Sequence, residues 1–113
     1  MLTIEKLKEY GADTDEGLKR CMGNEALYLR LAAMADQQPE FQELESLIKD
    51  NDLKSAFHAA HSLKGVFGNL AITPLYDRLC EITELLRSET PADYESLVID
   101  IMKFKDKYSS ICQ

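Results

Sequence analysis

The chain has 113 residues, of which 45% are apolar and 29% charged, and a formal net charge of −7. That length holds one domain with a real core and is too short for two. The acidic balance, with no basic stripe, argues against nucleic acid or an anionic membrane surface as partner, and no apolar run is long enough to span a bilayer.

In chain order, Met1-Leu2-Thr3-Ile4-Glu5 lacks the basic start and apolar run of a secretory signal. Cys21, Cys80 and Cys112 are odd in number and widely spaced, so reduced thiols in the cytoplasm are expected. Thr3 to Tyr10 reads as a short helix closed by Gly11, and Asp13 or Thr14 caps another that ends at Gly23. Both are too short to stand alone and are expected to fold over one end of a bundle. Asn24 offers a fresh N-cap with Glu25 in the first turn. Leu27, Met34, Phe41 and Ile48 then keep one seven-residue phase across Pro39, with Leu31, Leu44 and Leu47 beside them. That phase predicts one long helix over about 24–49, bent near Gln38-Pro39. A clean break at the proline is the alternative.

Asp50-Asn51-Asp52 makes the next turn, and Asn51 is expected to cap a helix over about 51–70. Thr73-Pro74 and Thr90-Pro91 are matching start signals, a capping hydroxyl followed by proline at the first helical position. They predict helices over about 73–87, with Leu75, Leu79, Ile82 and Leu86 on one face, and over about 91–110, with Tyr94, Leu97, Ile101, Phe104, Tyr108 and Ile111. No segment alternates like a strand. The expected fold is therefore all-α: an antiparallel up-down four-helix bundle in one domain, with two short extra N-terminal helices. No second apolar stripe is obvious, so a monomer is expected.

The helix over 51–70 holds the chemistry. Its apolar residues are Leu53, Ala56, Ala60, Leu63, Phe67 and Leu70, at gaps of three and four. At roughly 100° per residue the centre of that stripe lies about 130° from His61, which puts His61 on the wet side near the rim. Gly65 and Gly68 each cost about 1 kcal/mol relative to Ala inside a helix. Helical side chains lean toward the N-terminus, so side chains four and seven residues after His61 would lie across its ring. Glycine at both positions leaves the imidazole open to a large partner. Gly68 lies nearer the rim and could instead admit a neighbouring helix. Lys64, three residues on, can meet the imidazole or a group attached to it. Phe57, one turn earlier, packs at the core edge or belongs to an apolar docking patch. His58 is the rival nucleophile, but Ser62 and Gly65 follow it at the covering positions, so it is less open. A metal pair at His58 and His61 lacks further ligands at suitable spacing.

The stretch Ala60-His61, Leu63-Lys64-Gly65 and Gly68-Asn69-Leu70 resembles the signature of histidine-containing phosphotransfer (HPt) domains, helical bundles of about this length. Ala71 stands where relatives often have Gly, and Val66-Phe67 is bulkier than usual. Neither departure touches the reactive residues. The resemblance implies that His61 accepts a phosphoryl group from a receiver-domain aspartate and returns it to another. The implied partners are receiver domains of response regulators and hybrid histidine kinases. An exposed imidazole, with an ordinary pKa of about 6.5, is mostly neutral at pH 7 and offers a lone pair. Phosphoryl transfer needs positioning and charge stabilisation above all. Lys64 is expected to supply one positive charge, and the receiver its aspartate and Mg²⁺, so no cofactor is expected in this chain. There is no Walker A loop, no Gly-rich ATP loop and no acidic metal cluster, which predicts a carrier without an ATP site. The alternative is a helical adaptor that binds a kinase or receiver without carrying phosphate. The initiator Met and the lack of a flanking linker favour a free-standing protein over a piece of a larger kinase.

Overall fold

Seven helices and no strand make up the computed structural model, which describes every residue from Met1 to Gln113. They are α1 (Ile4–Tyr10), α2 (Thr14–Arg20), α3 (Glu25–Ala35), α4 (Glu40–Lys49), α5 (Leu53–Asn69), α6 (Thr73–Arg87) and α7 (Tyr94–Cys112). Helices α4 to α7 pack as a closed antiparallel ring, each against the next and α7 back against α4. This is the all-α up-down bundle that short links between amphipathic helices dictate. Its centre is an aromatic column. The Phe67 ring of α5 meets Phe41 of α4 and Tyr108 of α7 edge to face, each with centroids 5.6 Å apart. Between α6 and α7, Arg78 pairs with Asp100 at 2.9 Å and lies 3.5 Å over the Phe104 ring.

The single bent helix expected over 24–49 is two helices, with the helical ladder interrupted over Asp36–Pro39. Residue 39 has no N–H to donate to Ala35, and the chain crosses Asp36–Pro39 on short-range bonds instead, Asp36 to Ala33 and Gln37 to Met34. The seven-residue phase does not survive the break. Tyr28, Ala32 and Ala35 face the core from α3, whereas Phe41, Leu44 and Ile48 do so from α4. Met34, counted as core from its spacing, is 58% exposed, and Leu31 is 37% exposed. The break is pinned to α7: Asp36 accepts from Lys105 at 3.0 Å and from Ser109, and the Asp36 and Lys105 side chains are largely buried.

Three expected caps are displaced by one to three residues, for one shared reason. Asn51, Ala71 and Glu89 each take a left-handed conformation, with φ of 57°, 57° and 48°. Each closes the preceding helix as the left-handed residue of a Schellman-type end, with the following amide reaching back to the last turn: Asp52 to Leu47, Ile72 to Phe67 and Thr90 to Leu85. Asn51 is thus consumed in ending α4, and Asp52 caps α5 by accepting from the Ser55 amide at 3.2 Å. Ile72 ends one helix and precedes the next, so Thr73 falls inside α6. Thr90-Pro91 lies outside α7, where Asp93 is the cap and accepts from the Ser96 amide and hydroxyl.

The N-terminal helices brace the α5–α6 turn. Thr3, Asp13 and Asn24 supply the side-chain caps of α1, α2 and α3, and Gly11 closes α1 at φ 111°. Three carbonyls at the α5–α6 turn accept hydrogen bonds from the N-terminal segment. Arg20 reaches the Gly68 oxygen at 2.6 Å, the Tyr28 hydroxyl reaches Leu70 at 2.8 Å, and the Asp13 amide reaches Ala71 at 2.9 Å.

Candidate functional site

Helix α5 buries Ala56, Ala59, Ala60, Leu63 and Phe67 and turns His58, His61, Ser62 and Gly65 outward. The inward alanines let α5 lie close to its neighbours, and the outward row is what remains for a partner. His61 is exposed, with its ring centroid 5.6 Å from that of Phe57 and the planes tilted by 38°. His58 lies 5.4 Å from the other side chain of this pair, Phe57, in an edge-to-face arrangement. Phe57 is half-buried against the core, so a fixed aromatic ring orients both imidazoles. Lys64 is half-buried and makes no ion pair, unlike Arg20, Arg78, Arg87 and Lys105. Ser62 is held toward α4 by a 3.3 Å hydrogen bond to Glu40.

The two glycines separate. A Cβ added at Gly65 would meet nothing within 4 Å, so the space beyond His61 is open there. A Cβ at Gly68 would lie 2.7 Å from Cε1 of Tyr76 on α6. Gly68 therefore makes room for the adjacent helix and does not serve as an access residue, which corrects that part of the expected site.

Phe57 has a further neighbour that the period of α5 does not reveal. The Arg87 guanidinium lies 5.0 Å from the Phe57 ring centre and is paired with Glu84. A register count finds it. Gly68 and Tyr76 meet four residues either side of Ile72, and Phe57 and Arg87 meet fifteen either side. The same count sets Lys64 level with Cys80 and His61 level with Thr83. Which residue is the pivot depends on the turn, which Ala71 sets through its positive φ.

The principal surface grooves lie elsewhere. One runs between α4 and α7, lined by Ile48, Val98 and Ile99 with Glu45, Lys49 and Glu95. His61 lines none of them and stands exposed on the outer face of α5. No three His, Cys, Asp or Glu side chains gather closely enough to share a metal ion, so His58 and His61 find no further ligand.

An all-helical bundle with an exposed imidazole beside an open glycine on the outer face of one helix is the arrangement of the histidine carriers of phosphorelays. A family model described as Hpt domain matches residues 29–109, and the chain belongs to that family. Such domains carry phosphoryl groups on histidine, interact with receiver domains and are not enzymes with an ATP site of their own. The match begins within α3, so α1 and α2 lie outside it. No curated protein and no solved structure matches the chain. No helix is long and apolar enough to cross a membrane.

Proposed function

We propose that this protein is a cytoplasmic phosphorelay carrier in which Nε2 of His61 exchanges a phosphoryl group with receiver-domain aspartates. The imidazole lone pair attacks phosphorus in line, the N–P bond forms, and the acyl-phosphate P–O bond breaks to release the aspartate carboxylate. The return step runs the same path backward onto a second receiver. The donor is already activated, so the chain's contribution is positioning and charge. Lys64 lies one turn on, free of other partners, and neutralises charge on the phosphoryl oxygens. Gly65 keeps the approach clear, and Phe57 with Val66 offers apolar contact to a docking surface. The receiver brings the aspartate and Mg²⁺. The observation that carries the reading is the exposed His61 ring beside the open space at Gly65.

The test is phosphoryl transfer from a phosphorylated receiver. Label is expected on wild-type protein and absent from His61→Gln. Label that persists in that variant on His58 would move the assignment to His58.

A further inference from the structure

Resting on that carrier reading, we infer that Arg87 is a second cation for the phosphoryl group, held by Glu84 in the unloaded protein and handed to phospho-His61 on loading. Side chains on α5 lean toward its N-terminus, so the His61 ring reaches over the turn that carries Phe57. The two rings are 5.6 Å apart, and the Arg87 guanidinium lies 5.0 Å from the same Phe57 ring. One aromatic surface thus joins imidazole and guanidinium. Lys64 follows His61 by three residues on α5, and Arg87 meets the Phe57 ring from α6, so each helix supplies one cation to the face that holds the imidazole.

Glu84 holds Arg87 weakly. The contacts are 3.3 and 3.4 Å, long beside the roughly 2.7–2.9 Å usual for a charge-assisted bond. The Arg87 and Glu84 side chains are 49% and 62% exposed, the setting in which ion pairs contribute least. A phosphoryl group on His61 brings more negative charge than a carboxylate, and its oxygens match the planar fork of arginine. Arg87 sits in the last turn of α6, and its stem can slide along the Phe57 ring without leaving it. Loading would therefore exchange one anion for another and free the Glu84 carboxylate on the docking face. A receiver meeting the loaded carrier would find an extra negative charge there, and one meeting the empty carrier would find it neutralised.

The experiment loads the full chain chemically, in a His58→Gln background so that a single imidazole reports. Phosphoramidate supplies the phosphoryl group: its P–N bond breaks as the bond to His61 forms, and ammonia leaves. Phosphorus NMR then follows the titration of the bound phosphoryl group. Arg87→Ala is expected to raise the midpoint by roughly half a pH unit, the effect of one cation lost at about 6 Å in water. Glu84→Gln is expected to lower it, and Arg87→Lys to return it toward the wild-type value. The Arg87 Nε–H resonance should also move on loading. Equal midpoints for wild type and Arg87→Ala, or a resonance unmoved by loading, would overturn the exchange and leave the carrier reading standing. A chemically loaded protein that responds at Arg87 but never takes label from any receiver would overturn the carrier reading instead.

Discussion

Gly65 and Gly68 share a helix but differ in what lies beyond their Cα atoms, and substitution should separate them. Gly65→Ala adds a methyl group in open space and removes a flexible residue from mid-helix, so it should stabilise the fold by about 1 kcal/mol. Gly65→Gln should keep most of that gain while slowing transfer from a receiver by tenfold or more, the loss of roughly 1.4 kcal/mol of transition-state fit. Gly68→Ala drives a methyl group into Tyr76 and should destabilise by about 1–3 kcal/mol. In a Tyr76→Ala background the same substitution should cost far less, a non-additivity that a thermal double-mutant cycle reads as coupling between the two positions. An unchanged transfer rate in Gly65→Gln would remove the steric argument for the open ring. His61, Lys64 and Gly65 were legible in the sequence because their relation is set inside one helix by its period. Gly68 and Arg87 depend on how α5 and α6 register, and one helix's period says nothing of its neighbour's height. Ala71 belongs here too. It holds φ 57° with a side chain that disfavours it, so Ala71→Gly should raise stability by about 0.5–1 kcal/mol in urea unfolding, and a loss would show that its methyl packs usefully.

Among the elements, the break between α3 and α4 shows how a repeating pattern misleads. Leu27, Met34, Phe41 and Ile48 are evenly spaced, yet Met34 faces solvent and Tyr28 takes the core position. Six residues separate Ala35 from Phe41, and in a continuous helix that interval would turn Phe41 about 120° away from the core direction of α3. The break is therefore demanded by packing on both sides as well as by Pro39. Pro39→Ala should leave two helices in place, with Asp36 still bound to Lys105, and should change stability by less than about 1 kcal/mol. Backbone chemical shifts over residues 36–39 give the answer, and a continuous helical pattern there would mean the proline alone imposes the break. The displaced caps follow the same logic at smaller scale. Asn51, Thr73 and Thr90 carry genuine starting signals, but in turns this short the start of one helix follows from where the left-handed residue ends the one before, and propensity yields to it.

At the scale of the molecule, the bundle was legible because four apolar stripes and short links admit few arrangements. The attachment of α1 and α3 to it was not, because it rests on tyrosine hydroxyls that find carbonyls far away in sequence. Tyr10 donates to Phe104, Tyr28 to Leu70 and Tyr108 to Ala32, so three phenols tie outer helices to the ring. Burial is the main cause that raises each of their pKa values, pushing Tyr28 up to about 12, and burial likewise pushes the Cys112 thiol up to about 11. The folded chain therefore keeps protons that the unfolded chain releases once pH passes the ordinary values of 9.0 for the thiol and 10.0 for the phenols. Stability from these groups is complete below that range and falls as pH rises through it, since the unfolded state then binds fewer protons. The urea midpoint should hold to about pH 9 and drop steeply from there toward pH 12. Tyr28→Phe should start lower, because the Leu70 carbonyl loses its donor, and fall with a slope shallower by about one proton. A midpoint that stays level through that alkaline range would mean the phenols are open to solvent and that Tyr28 of α3 does not brace the end of the helix carrying His61.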